Sequence, residues 1–431
     1  MAVARGLLWH LAVRCPLALL TVVLAGCARV GPGETSAPGD ADVGIEEEAA
    51  PPLGPLPPSS VKEVALGAAH SCARLDDGSV WCWGSNSGGQ VGAEACTGWD
   101  CFMPATRVVG LPPVTQIAAG RGQTCALSTE GTVWCWGVAD YGAMGIVATD
   151  RCRSWCILKP TPVPGLSDAR EITVGDSLLC ARTADGSVWC YGFYSSVDPS
   201  PPPLRLAVPP AKGLAAGADH VCVLLIDGHV RCWGSNAWGQ RGLGTTGIYH
   251  PTPLDVVDLA DVDRVFAGYL MSCAHTRSGE VRCWGINDGC ELASPSAERC
   301  SEHWACSSRP LLAAGVSSTM VALGGYTDNS LGCDYCTLFF GRGCAIDSDR
   351  GVRCWGLKRW VAPGGDCPKE ASPKPVPGLH DAVHLALGAK HACAATGDGR
   401  VWCWGENDGG QLGDGTRTRA VVPRKVRFPP R

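Results

Sequence analysis

Residues 72–82 read CARLDDGSVWC, from Cys72 to Cys82, and this stretch decides the fold. Two cysteines stand ten positions apart with Asp77-Gly78 at the centre. An Asp-Gly pair between short apolar-alternating runs is a hairpin signal. With Asp77 at the turn, Cys72 falls opposite Cys82, and directly opposed residues lie about 4.5–5.5 Å apart. That distance is within the roughly 4.4–6.8 Å that a disulfide spans. The spacing therefore predicts a cross-strand bridge inside the hairpin.

The chain repeats this unit. Later copies are CALSTEGTVWCWG from Cys125, CARTADGSVWCYG from Cys180, CVLLIDGHVRCWG from Cys222, CAHTRSGEVRCWG from Cys273, CAIDSDRGVRCWG from Cys344 and CAATGDGRVWCWG from Cys393. Their second cysteines are Cys135, Cys190, Cys232, Cys283, Cys354 and Cys403. A spacing held through every copy implies one bridge per repeat. Side chains alternate faces along a strand. Val80 and Cys82 thus share one face, and Trp81 and Trp83 the other. Both faces are apolar and both need cover. Similar sheets stacked side by side supply it, so the expected fold is all-β, a seven-bladed β-propeller with one intra-blade cross-strand disulfide per blade.

Composition agrees. Charged residues are only 18% of the chain, against 56 Gly and 32 Pro, which suits many short strands and tight turns. Twenty-six cysteines in register point to an oxidising compartment. The 36 Lys and Arg against 41 Asp and Glu leave the repeat region near neutral. A nucleic-acid partner is therefore not expected.

The N-terminus reads as an export signal. Arg5 and Arg14 precede the apolar run Leu17–Gly26, too short to span a bilayer. It ends in Leu24-Ala25-Gly26-Cys27, which resembles the bacterial lipoprotein processing box. That resemblance implies residues 1–26 as signal peptide and lipid on Cys27. Ala28 in the next position favours the outer membrane. Setting aside Cys15 and Cys27 leaves an even number of cysteines. Residues 27–60 are rich in Pro, Gly and acid and read as a lipidated, disordered tether. Residues 61–431 are the propeller, expected to be monomeric and to meet the membrane only through the lipid.

The extended units VKEVALGAAHSCARLDDGSVWCWGSNSGGQVG (61–92), AAGADHVCVLLIDGHVRCWGSNAWGQRG (215–242) and ALGAKHACAATGDGRVWCWGENDGGQLG (386–413) resemble the regulator-of-chromosome-condensation repeat. The resemblance covers nearly all of residues 61–431 and implies the seven-bladed ring. This chain departs from it by carrying cysteine at the apolar pair of the hairpin. It keeps the G-Q-x-G tail only in units one, four and seven. The founder's nucleotide-exchange and chromatin roles are not carried over to a tethered lipoprotein. The family also includes a secreted inhibitor of β-lactamases, a propeller used to bind protein.

If neighbouring strands are antiparallel, the loops after strands one and three share one end of the ring. The insertions at 93–102, 148–156, 286–306, 326–342 and 357–367 all fall there. They carry Trp99, Trp155, Trp304, Tyr335 and Trp360. Local bridges are expected for Cys96 with Cys101, Cys152 with Cys156 and Cys333 with Cys336. The pairing of Cys290, Cys300, Cys306 and Cys367 stays open. Aromatic side chains on stapled loops suit the rigid anchors of a binding surface. The alternative is that these loops only cap the blades.

His70, His220 and His391 recur before the first cysteine and read as structural turn histidines. Cys333-x2-Cys336 reads as a bridge, since a zinc site wants a second pair. No catalytic residue, cofactor or metal is expected, since no G-x-S-x-G, H-E-x-x-H or P-loop pattern occurs. The expected function is a non-catalytic binding scaffold for protein partners at the cell envelope. A lectin-like glycan-binding propeller is the alternative, and a propeller enzyme a third.

Overall fold

The computed structural model describes residues 59–93, 101–139, 144–148, 150–152, 155–192, 202–295, 298–300, 304–328, 338–356 and 372–429. All belong to the unit Gly54–Arg431. Cys27, Cys96, Trp99, Cys333, Tyr335, Cys336, Trp360 and Cys367 lie outside the described residues, as do segments 1–26 and 27–58.

Strands pair antiparallel with their sequence neighbours into seven sheets, each a blade. In the first, Val61–Leu66, His70–Leu75, Val80–Ser85 and Phe102–Arg107 follow one another outward from the axis. The hairpin register is as the spacing requires, with Cys72 opposite Cys82 and the same pairing in every blade. All seven bridges form, from Cys72–Cys82 to Cys393–Cys403. Their Cα atoms are 4.0–4.2 Å apart, closer than expected from opposed strands in general. The bridge draws a closely spaced, non-hydrogen-bonded pair closer still. Closing such a loop contributes about 2.5–3 kcal/mol in the chain-entropy account. Replacing Cys72 and Cys82 together by Ala is expected to lower stability by that amount, read as a fall in the urea midpoint with unchanged slope.

The outermost strands are open edges, and proline blunts them. Pro104, Pro160, Pro162, Pro251, Pro253, Pro310, Pro375 and Pro423 all sit in outer strands. A residue without an N–H cannot template a further strand.

Blades join through a repeated polar junction. The N-x-x-G-Q tail folds on itself: Asn86 Oδ1 accepts the Val91 N–H at 3.0 Å, and Gln90 Oε1 accepts the Gly88 N–H at 2.7 Å. This turns the Gln90 carbonyl toward the next blade, where it accepts the Trp136 indole N–H at 3.0 Å and the Thr124 hydroxyl at 3.0 Å. His70 Nε2 lies 2.9 Å from that hydroxyl. The threonine proton is already given to Gln90, so the imidazole must be the donor. The same set recurs as His220, Ser272, Trp284 and Gln240, and as His391, Ser71, Trp83 and Gln411. The histidines are therefore structural, but they bridge blades rather than brace their own turn. No sequence spacing reveals a partner 54 residues away.

Unit five lacks the G-Q-x-G letters yet keeps the geometry. Asn287 Oδ1 accepts the Leu292 N–H, Glu291 accepts the Gly289 N–H, and the Glu291 carbonyl accepts the Trp355 indole. Cys290 and Ala293 adopt the left-handed φ of 66° and 51° that Gly89 and Gly92 hold in blade one. The tail is conserved here in shape, not in letters. Burial pushes the Glu291 carboxyl up to about 7.

Glycines close the centre. A Cβ at Gly120 would lie 2.1 Å from the Gly175 carbonyl, one at Gly175 2.3 Å from that of Gly217, and one at Gly217 2.2 Å from that of Gly268. Gly388 meets the Gly67 carbonyl at 2.3 Å, which carries the contact from blade seven to blade one. In Gly67, Gly217 and Gly388 the same missing Cβ also leaves room for the imidazole three residues on. The G-x-x-H letters thus encode one close approach with two occupants.

The final strand, Ala420–Lys425, pairs inside blade seven: Trp402 faces Lys425 and Gly405 faces Ala420. It does not join the sheet of the first blade. The ring closes instead by packing. Val61 N–H reaches the Gly399 carbonyl at 3.4 Å, and Phe428 meets Trp81 and Trp83 edge-on at 6.0 and 5.9 Å.

Candidate partner-binding face

Strand alternation puts the loops after strands one and three at one end of the ring and the Asp-Gly turns at the other. Backbone bonds fix both ends. Ala68 N–H donates to Arg121 O, Asp176 N–H to Ala218 O and Ala389 N–H to Gly67 O at the loop end. Val114 N–H donates to Gly78 O, Ala169 to Gly131 and Ala211 to Gly186 at the turn end.

On the loop end of blade two, Asp150–Arg151 pairs with the start of Trp155–Pro162, and Cys152–Cys156 staples the corner. Trp155 stays 46% exposed, with the Arg151 guanidinium 4.2 Å from its ring centroid. In blade five, Cys300 pairs with Cys306, which answers half of the question left by the cysteine count. Glu298 accepts the Ser308 N–H at 2.7 Å beside it. That loop holds Trp304 edge-on to Trp238 at 6.2 Å. Cys101 and Cys290 are also disulfide-bonded.

Further aromatic residues share this face. Phe102 is 45% exposed with Arg417 5.1 Å from its ring. Tyr326 lies under the Lys390 ammonium at 4.2 Å. Sequence alone does not single out Phe102, Trp238 and Tyr326. Trp238 sits inside the G-Q tail of unit four, at a position that faces outward, and its size was the available signal. A cation held over a ring contributes about 0.5–1 kcal/mol at exposed sites.

The axis is a channel of about 650 Å³ whose wall is the innermost strands. At the loop end its lining includes Arg121, Asp176, Tyr269, Tyr326 and Lys390. Burial, and then repulsion from Asp219, pushes the Asp176 carboxyl up to about 6, with Arg121 opposing. Asp176 and Asp219 are therefore close neighbours in charge. Among the described residues no group of three or more metal-ligating side chains converges.

A closed ring of seven sheets, six of four strands and one of five, with its irregular loops at one end, defines a seven-bladed β-propeller. The repeats match the description "Regulator of chromosome condensation (RCC1) repeat" at residues 61–90, 114–143, 211–240 and 382–411 in one form, and at 77–127, 130–181 and 398–431 in another. The chain is similar to "Protein pim1" of Schizosaccharomyces pombe, 27% identical over 355 residues, 73% of this chain and 63% of that protein. It is similar to "Ultraviolet-B receptor UVR8" of Arabidopsis thaliana, 25% identical over 389 residues, 86% of this chain and 82% of that one. The solved structure of Prp20p from Saccharomyces cerevisiae superposes with a TM-score of 0.66 at 18% identity, covering 87% of this chain and 88% of that one. The two forms of the repeat together cover residues 61–181, 211–240 and 382–431.

Proposed function

We propose that the protein is a non-catalytic scaffold that binds protein partners through the loop face, held at the bacterial cell envelope by lipid on Cys27. The observation that carries the reading is the set of exposed or half-buried aromatic side chains on disulfide-stapled loops at one end of a rigid ring. Rigid aromatic anchors lose little entropy on binding and dominate interface energetics. The relatives fit: Prp20p is described by its binding to Gsp1p and histones, and UVR8 as a receptor.

The anchor rests on the Leu24–Cys27 box behind an apolar run, and the acidic, Pro-rich segment to residue 60 supplies the tether. The outer membrane is the proposed site. Proline along the outer strands supports a monomer. The glycan alternative is weaker at Trp155, because a sugar stacks on a ring face and Arg151 covers one.

Replacing Trp99, Trp155 and Trp304 together by Ala is expected to cut partner capture from envelope extract at least about tenfold. Captured proteins are read by mass spectrometry, and the melting temperature should hold. Undiminished capture would overturn the reading. Binding on a glycan array with no protein captured would favour the lectin alternative.

A further inference from the structure

The bridges fall into two classes by their surroundings. The fourteen blade sulfurs belong to residues between 0 and 8% exposed, pressed between adjacent blades. Hydroxyls of the neighbouring blade lie on them: Thr124 Oγ1 is 4.0 Å from Cys72 Sγ, and Ser272 Oγ is 3.6 Å from Cys222 Sγ. A thiol reaches these sulfurs only after two blades part. The loop bridges differ. Cys152 and Cys300 are half-buried, while Cys156 and Cys306 are fully buried. In these two bridges one cysteine is partly exposed, unlike Cys101 and Cys290, which are 6% and 5% exposed, and it lies in a segment outside the stacked ring.

We propose that the binding face is redox-addressable on a redox-inert ring: reduction of Cys152–Cys156 and Cys300–Cys306 releases the corners that hold Trp155 and Trp304, while the blades stay closed. This rests on the reading of the loop face as the binding surface. The reductant is a dithiol. Its thiolate attacks the Cys152 sulfur, the S–S bond breaks, and the electron pair leaves on the Cys156 sulfur, which takes up a proton. The second thiol of the reductant then displaces Cys152, also released as a thiol. The reductant departs as a cyclic disulfide, having supplied both electrons. Exposed bridges are the ones that exchange in this way, while buried ones wait for an opening of the fold.

The geometry links the bridges to the surface directly. Cys156 is paired with Asp150, and Arg151 with Trp155, across the stapled corner. Cys300–Cys306 spans the Arg299–Ala305 bridge beside Trp304. Without the staples the Asp150–Arg151 arm keeps two cross-strand pairs and the Arg299–Cys300 arm one, so the cover these arms give Trp155 and Trp304 loosens, while Trp155 O and Cys306 stay bonded toward the third strands of their blades.

The test is graded treatment of the folded, full-length protein with dithiothreitol, a rapid alkylation quench and peptide mass spectrometry. Cys152, Cys156, Cys300 and Cys306 are expected to label about a hundred times faster than the blade cysteines. In 8 M urea as a control the difference should vanish, because the protection is conformational. Equal labelling of blade and loop cysteines in the folded state would overturn the proposal, as would loop bridges that resist reduction. Partner capture before and after mild reduction is the second readout, and it should fall with loop labelling. Capture unchanged by complete loop reduction would overturn the switching role. Absence of capture even from the oxidised protein would count against the binding reading alone, since the labelling contrast is scored without any partner.

Discussion

Gly120→Ala should cost more than about 3 kcal/mol, an effect at the far end of what one methyl group does. The added Cβ would sit 2.1 Å from the Gly175 carbonyl and 2.8 Å from Gln123 Nε2. A backbone oxygen cannot rotate away as a side chain can. The Gln123 amide donates to the Gly175 and Asp176 carbonyls, so moving blade three breaks those bonds as well. The ring closes on itself, and displacement at one junction is passed to the others. Gly247→Ala is the control, because nothing lies within 4 Å of its Cβ position. It should change stability by less than about 0.5 kcal/mol. Chemical denaturation of the two variants is the measurement. Equal, small effects would mean that the centre is looser than described.

Acid should unfold the protein through its buried histidines. Burial lowers His70 to about 4 and His220 to about 3, and holds His391 well below the usual range. Burial likewise lowers His384 to about 4. In the three junction histidines Nε2–H is committed to a hydroxyl, and Nδ1 faces no partner. A second proton would have no acceptor there. These groups are neutral when folded and titrate near 6.5 when unfolded, so the unfolded chain binds protons more readily. Stability from them is complete above about pH 6.5 and declines as pH falls toward 4. Five carboxyls raised by burial oppose this, Glu63, Asp219 and Asp288 among them. Glu291, raised to about 7, and Asp176, raised to about 6, hold protons in the fold that the unfolded chain releases. The four strongly lowered histidines outweigh the carboxyls, so stability should fall by about 1 kcal/mol or more per pH unit between roughly 6 and 4.5. The urea midpoint followed across pH reads it. His220→Gln should remove about one proton's share of that slope. A midpoint independent of pH from 7 to 4 would contradict the junction chemistry.

How far the sequence reveals these features depends on how local they are. The Cys72–Cys82 hairpin depends on eleven consecutive residues, so its register, its bridge and its repetition were all readable. So was the sharing of one end by the long loops, because it follows from strand alternation alone. The junctions were not. His70 meets Thr124 and Trp136 meets Gln90 only after blades stack, and no spacing within a repeat encodes that meeting. Unit five looks degraded in sequence because Glu291 and Cys290 replace Gln and Gly. Its turn survives because Cys290 and Ala293 accept a left-handed backbone that the letters disfavour. The candidate face was legible in part. Trp155 and Trp304 were picked from their stapled loops. Phe102 and Tyr326 lie at strand ends, where an aromatic residue has the same letter whether it caps a blade or faces outward.

Site-specific photocrosslinking in living cells tests the loop-face account most directly. A photoreactive residue is placed in turn at Trp155 and Phe102 on the loop end, and at Asp77, Asp185 and Asp227 on the turn end. The account expects adducts to a common partner from the loop-end positions and none from the turn-end positions. Adducts confined to Asp77, Asp185 and Asp227 would contradict it.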